Sequence, residues 1–556
     1  MNNDQLVGIH SVSSRYEKEF SPNDRLILKL NFKLSNNSFN KLENITITDY
    51  DLQDYNHLDI DNDSENTVNN LSSAAIYRHL FKKKGRSFAI SGGYNLDKED
   101  GTQYLNTLNS FFNAVTPTDQ IKQFIDSDNN ENEYKSSLLY TEPLFNKFYG
   151  EVFYNFSDLE NNKNRQASDL TSSIEPRIDS LSVYYEQQTL YNRIGAVLRY
   201  SNNGLNGSIG VAAQNISLNG KYAVDEGEPW YNTPATRNYF NVVPNVELNY
   251  EVKRGMHIDF NYTNDISTPD FNDLYPVTIT TNPSYVVIGN PDLNTSINHS
   301  VSLRYGYWNP ANFSSFHIST TYDVTLSPIV YNQKTEISED QGIITISYPE
   351  NMDTKTQYSS WLWANIPIIK TKLSINGNLS YSLTNSPIKI NDELDATKSN
   401  SYYFGVGMMF SPGQKFVLNV GANANITDMN YDLLDDFDQN YYSYNANSSV
   451  KWQFLKSTFF ESNFKYSVYV NDKYDFDQKF PVWNASIRQL LGKSKKFELR
   501  LAALDILNKN VTINQTSYAN YLQQTETNTL TRYIMLSLTY NIKGFETKME
   551  RRGRFH

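Results

Sequence analysis

Seven histidines (His10, His57, His79, His257, His299, His317 and His556) and no cysteine make up the soft-ligand inventory of this 556-residue chain. The histidines are dispersed, with no pair at helical or hairpin spacing for a metal, so neither a zinc site nor an imidazole-centred catalytic group is expected. Without cysteine there is no thiol nucleophile, no disulfide framework and no thiolate-bound metal. Gly92-Gly93 and Gly204-Leu205-Asn206-Gly207 have the glycines of a phosphate loop, but no helix follows, so they read as strand and turn glycines. One segment could hold a hard cation. In Asp59-Ile60-Asp61-Asn62-Asp63-Ser64-Glu65, alternate carboxylates could converge on Ca²⁺. The EF-hand glycine is missing at the sixth loop position and Asn70 stands at the twelfth, where that loop carries Glu. A solvated acidic loop is therefore the favoured reading, with weak Ca²⁺ binding as its alternative. Two further clusters, Asp432-Asp435-Asp436-Asp438 and Asp472-Asp475-Asp477, could attract cationic or metal-bearing ligands, or hold divalent ions against lipopolysaccharide. Solvation is favoured there too. No catalytic, cofactor or metal residue is assigned, and no enzyme is expected.

The elements that would position these residues are clearer than the residues themselves. Leu373-Ser374-Ile375-Asn376-Gly377-Asn378-Leu379-Ser380-Tyr381-Ser382-Leu383-Thr384 alternates apolar and small polar side chains one by one. A period of two is that of a strand, whose successive side chains leave opposite faces of the pleat. Segments of this kind recur along the chain, and their length and uncharged polar face match a transmembrane β-barrel with lipid outside and a wet lumen inside. Composition agrees: aromatics are 14%, with 41 Tyr and 30 Phe, while the mean hydropathy of −0.58 is that of a polar chain. A barrel reconciles these values, because half of each strand is wet and rings gather at the membrane interfaces. A net charge of −12 argues against nucleic acid, whose phosphates require clustered Lys and Arg. No run of 18 apolar residues exists for a helical span.

Short joins alternate with long ones. Tight turns are expected at Ser21-Pro22-Asn23-Asp24, Lys83-Lys84-Gly85-Arg86, Leu144-Phe145-Asn146-Lys147, Ser201-Asn202-Asn203-Gly204 and Lys253-Arg254-Gly255. Others are expected at Asn309-Pro310-Ala311-Asn312, Lys370, Ser411-Pro412-Gly413-Gln414, Leu455-Lys456 and Gly492-Lys493-Ser494-Lys495. Between them, 36–66, 98–132, 161–185, 221–236, 266–298, 334–356, 386–399, 429–440, 471–479 and 507–530 read as long polar loops. Short periplasmic turns and long outer loops give direction, and counting back from Tyr533–Ile542 gives about 21 strands. Because bacterial barrels normally hold an even number, about 22 strands are expected in the complete fold, with the first one missing here. Residues 1–545 would form the barrel and 546–556, with Arg551, Arg552 and Arg554, a basic periplasmic tail. Met1-Asn2-Asn3-Asp4-Gln5 does not open a signal peptide, so the expectation is a removed signal or the C-terminal part of a longer chain.

Facing follows from parity. Ser374, Asn376, Asn378, Ser380, Asn419, Asn423, Asn425, Glu461, Asn463 and Lys465 should line the lumen, touching a plug or a passing solute; simple hydration of the wall is the equal alternative. Tyr305, Tyr307, Trp308, Trp452, Phe454, Phe464 and Tyr466 are expected in the interfacial girdles, in preference to a ligand-stacking platform.

The connection after Tyr262 contains Ser267-Thr268-Pro269-Asp270-Phe271-Asn272-Asp273-Leu274-Tyr275-Pro276, Asn282-Pro283 and Gly289-Asn290-Pro291-Asp292-Leu293-Asn294. It resembles the barrel half of the TonB-dependent receptor superfamily, in the group of outer-membrane β-barrel proteins related to those receptors. Tyr140-Thr141-Glu142-Pro143-Leu144, Lys84-Gly85-Arg86-Ser87, Tyr348-Pro349-Glu350-Asn351, Asp505-Ile506-Leu507-Asn508 and the strand from Arg532 to Asn541 are similar to the same group. The likeness spans roughly 66–545. It implies an outer-membrane location among lipid, and capture of a scarce solute by the outer loops. Uptake would be driven through the TonB system, in an intact form that carries a plug. No plug and no TonB-engaging segment is recognisable here. A plugless passive or structural barrel is therefore the alternative, and a soluble all-β binding protein a distant third.

Overall fold

The computed structural model describes residues 2–48, 54–111, 118–223, 228–229, 235–274, 279–282, 285–338, 342–433, 438–471, 473, 476–510, 512–517, 522–527 and 531–542. The segment 546–556 lies outside them. Strand after strand pairs antiparallel with the next, from Asn2–Ser21, Asp24–Thr48 and Asp54–Leu80 to Phe497–Leu504 and Tyr533–Tyr540. Among the described residues the main sheet holds 25 strands, and four of them (Ile279–Asn282, Tyr285–Val287, Ile329–Ser338, Gly342–Asn351) belong to insertions, which leaves 21 consecutive staves. This is the number the alternating joins predict for this chain. Among the described residues the first and last staves each pair on one side only. Among the described residues the helical elements are two single turns, Asp179–Leu181 and Phe271–Leu274, and no helix there is long and apolar enough to cross a membrane.

The short joins fall where turn chemistry places them. Asn202 pairs with Leu205 across Asn203 and Gly204, whose φ values are 45° and 83°. Two consecutive positive φ angles make the hairpin turn whose twist matches the flanking strands, which is why Asn-Gly stands there.

The long joins differ from expectation. Phe39 pairs with Ser64, Tyr104 with Phe124 and Ile388 with Asp395, all inside stretches that read as loops. The strand Asp54–Leu80 runs 27 residues, whereas crossing a bilayer takes about 9–11. Beyond the membrane both faces of a strand meet water, so the apolar alternation fades while the backbone ladder continues.

Small cores form in these extensions and not along the middle of the staves. Leu58, Ile60 and Leu105 pack with Ile45 and Ile47; Ile388, Ile390 and Tyr431 pack with Met429. The largest joins Val183, Tyr185, Leu218 and Tyr222 to Leu274 and Leu293 from the insertion after Ser267. In the staves themselves one face is continuously apolar. Gly377, Val406, Ala422, Ala446 and Tyr466 follow one another in register, with Leu379 and Phe404 in the neighbouring row.

Candidate functional site: the luminal wall and its two rims

Every residue expected in the lumen lies on the face opposite that apolar surface. One row runs Asn378–Gly405–Asn423–Asn445–Ser467, and the next runs Ser380–Tyr403–Asn425. The Asn445 carboxamide donates to Asn423 Oδ1 at 3.2 Å and accepts from the Ser467 hydroxyl at 2.7 Å. Asn419 donates to Ser449 Oγ at 3.2 Å. Gly405 and Gly407 leave room for the carboxamides of Asn378 and Asn376, which occupy the space a Cβ would take. The wall is thus a mesh of neutral donors and acceptors that satisfy one another and still present polar edges inward.

Toward the C-terminus the wall becomes charged. Arg488 sits 3.3 Å from Glu461 and 3.2 Å from Glu498, with its guanidinium 4.1 Å from the Phe459 ring centre. Arg500 reaches Glu461 at 3.5 Å and donates to Ser486 Oγ at 3.1 Å. Only Glu461 was singled out from sequence; continuing its parity across the next hairpins would have found both arginines.

The acidic segment is a correction. Asp59, Asp61, Asp63 and Glu65 lie within the strand Asp54–Leu80, not in a loop. They share one side of it, two residues apart, and such side chains run parallel about 7 Å from each other instead of converging. Among the described residues no group of three or more His, Asp or Glu is placed to hold a metal ion. Asp435, Asp436, Asp472 and Asp475 lie outside the described residues. Asp438 accepts the Tyr431 N–H at 2.7 Å, and Asp477 pairs with Lys479 at 2.8 Å, so each has a local partner. The aromatic set divides as well. Tyr305, Tyr307, Trp452, Phe464 and Tyr466 share the apolar face, and Phe454 packs on Trp452 at 5.6 Å. Trp308, one residue after Tyr307, has the opposite parity and belongs with the luminal side.

At the outer rim, two segments noted separately in the sequence meet. Asn290 donates from Nδ2 to the Pro349 carbonyl at 2.9 Å, and its N–H bonds the Asp273 carbonyl at 2.5 Å. Tyr331 OH donates to Asp273 Oδ1 at 2.6 Å, and Tyr239 OH to the Leu293 carbonyl at 3.2 Å. Burial raises the Asp273 carboxyl above its ordinary value, partly offset by the Tyr331 bond. Leu274, Leu293 and Pro349 are fully buried beneath this clasp. The periplasmic rim repeats the arrangement. Glu142 takes Arg86 Nε at 2.6 Å and NH2 at 2.8 Å, Lys83 Nζ at 2.7 Å and Tyr140 OH at 2.7 Å. Those bonds hold its carboxyl far below the usual carboxylate range, with the Arg86 guanidinium the main cause.

A family model described as an outer membrane protein beta-barrel family matches residues 79–405 and 396–540. The chain belongs to that family. As an outer-membrane β-barrel, it meets lipid with its apolar face and water with its asparagine-rich one. It is similar to the siderophore receptor PirA from Pseudomonas aeruginosa at 10% identity and a TM-score of 0.37, covering 96% of this chain and 80% of that one. The alcaligin outer membrane receptor FauA from Bordetella pertussis matches at 12% identity and 0.37, over 84% and 72%. The FrpB iron transporter from Neisseria meningitidis matches at 9% and 0.38, over 97% and 82%. No curated protein matches the barrel in sequence.

Proposed function

We propose that this outer-membrane barrel is the wall of a receptor and transporter of the TonB-dependent type, which takes a scarce solute from the outer loops through its lumen. The observation that supports the reading is the stretch of luminal row Asn378–Gly405–Asn423–Asn445–Ser467, in which every side chain beyond the glycine is polar and uncharged. Such a wall suits a surface that must release what passes it, since Asn445 and Ser467 already donate to neighbours in the same row. The outer clasp, with Asn290 bonded to Pro349 over buried Leu274 and Leu293, supplies an ordered rim on which outer loops can be arranged. TonB engagement belongs to an intact form that carries a plug.

Planar-bilayer conductance of the purified chain, paired with solute-limited growth of cells carrying or lacking the intact gene, tests the reading. TonB-dependent growth together with a large open pore from this chain alone supports it. A pore whose cells grow equally with and without TonB supports the passive barrel instead.

A further inference from the structure

The luminal row through Asn378 continues in the other direction through Trp363 and His317 to Gly306 and His257. Two histidines 60 residues apart in sequence are thereby placed one glycine apart on the wetted wall. Their ring centroids are 6.1 Å apart, and Trp363 backs His317 at 5.6 Å. Gly306 is what permits this. The His257 ring lies across it, in the volume a Cβ would fill, although Gly306 is an ordinary strand residue with no positive φ to require glycine. A glycine inside a strand costs packing and conformational entropy, and close approach of a neighbouring group is a recurrent reason for it.

Three other described histidines have committed partners, while His10 stands alone on the exposed first strand Asn2–Ser21, away from any second histidine in register. His57 bonds Thr46 and Asp59, His79 bonds Asp24, and His299 bonds Tyr262 and Asn264. Among the described residues neither His257 nor His317 has a hydrogen-bond partner. Two carboxylates flank His257: Asp259 Oδ2 is 3.9 Å from its Nε2, with the Asn249 carboxamide on the other Asp259 oxygen, and Glu251 stands opposite it in register on the preceding strand.

We propose that His257 and His317 form a two-imidazole binding site for a borderline divalent cation, Cu²⁺ or Zn²⁺, at the periplasmic end of the luminal row. A metal about 2.0–2.1 Å from one nitrogen of each ring places the ring centres about 5–6 Å apart, just inside the observed 6.1 Å, so a small rotation of the side chains closes the pair with the strands in place. Imidazole favours these ions over Mg²⁺ or Ca²⁺, and Cu²⁺ binds tightest in the divalent series. Two protein nitrogens with Asp259 alongside leave the remaining positions to water or to ligands the metal brings with it. The site stands on the geometry of the row and does not depend on the transport reading.

Titration of the tag-free full chain in detergent micelles with CuCl₂ or ZnCl₂ tests it, with electron paramagnetic resonance of the Cu²⁺ form counting bound nitrogens. The expected result is one strongly held ion per chain and two imidazole nitrogens. His317→Gln and His257→Gln should each weaken binding by at least about tenfold and remove one nitrogen. Gly306→Val should weaken it similarly with both imidazoles present, because its side chain evicts the His257 ring. His10→Gln should change nothing. A wild-type spectrum with fewer than two nitrogens, or affinity equal in wild type and the His257/His317 double variant, overturns the proposal. If Gly306→Val does not assemble, the wild-type spectrum and the two glutamine variants still decide.

Discussion

Asn294 and Asn351 exchange a pair of hydrogen bonds: the Asn351 carboxamide oxygen accepts the Asn294 N–H at 2.6 Å, and its Nδ2 donates to the Asn294 carbonyl at 3.1 Å. The same Nδ2 also reaches the Ser327 carbonyl at 2.9 Å. One side chain therefore ties the insertion after Ser267 to the second insertion, which carries Asn351 itself, and to Ser327 at the end of the stave Ser315–Leu326. Asn351→Ala should cost about 1–3 kcal/mol locally, since several backbone groups lose a partner together. Proteolysis of folded protein should then nick the 268–295 segment faster while heat-modifiable gel migration stays unchanged. Equal nicking rates would mean the clasp is held elsewhere.

Facing can be tested one residue at a time. Leu379 and Asn378 are neighbours on opposite faces of the same stave, Leu379 in register with Phe404 and Asn378 with Gly405. Leu379→Arg should lower stability by about 2–4 kcal/mol if it lies near the bilayer midplane, whereas Asn378→Arg should be tolerated. Urea unfolding in lipid vesicles separates them, and comparable losses would invert the assignment of lipid and lumen.

Acid should loosen the periplasmic rim through Glu142. Its folded carboxyl titrates well below its unfolded value because Arg86, Lys83 and Tyr140 bond the charged form. The stabilisation is therefore fully present above about pH 4.3, the unfolded value, and is lost as pH falls toward the folded one. Between pH 6 and pH 3 the urea midpoint of wild type should fall more steeply than that of Glu142→Gln. Parallel curves would show that the clasp contributes no pH dependence.

Arg488 holds Glu461 and Glu498 together on the luminal wall. Arg488→Met would leave two carboxylates facing water in the lumen without their shared cation. Conductance should shift toward cation selectivity, because an acidic ring attracts cations, and stability should drop by about 1–3 kcal/mol. Unchanged reversal potentials in a salt gradient would argue that this cluster does not line the conducting path.

Much of the architecture was legible from alternation and turn residues alone. Leu373 to Thr384 announces its two faces, and each tight turn, such as Asn203-Gly204, announces where a stave ends. The outer extensions were not legible. In Asp54–Asn66 the apolar face is reduced to Leu58 and Ile60, too short a run to distinguish a paired strand from a loop, and the backbone ladder to Phe39 and Lys41 does so instead. The meeting of His257 with His317 was hidden for another reason. The short turn at 309–314 fixes the register of His317 against Gly306, but that of Gly306 against His257 depends on a 28-residue insertion whose length says nothing about pairing. The clasp partners Asn290 and Pro349 were each noticed as motifs, yet nothing in the sequence pointed them at one another.

The first and last described staves differ in reach. With 21 strands alternating in direction, Asn2–Ser21 and Tyr533–Tyr540 both run toward the short-turn side. One ladder strand laid antiparallel to both would find 20 residues of backbone on one flank and 8 on the other. Its hydrogen bonds would be shared over the shorter flank only. A seam made in that way would be stepped, zipped from both sides over one stretch and from a single side beyond it, and the rest of the 20-residue flank would project past its counterpart as a lip.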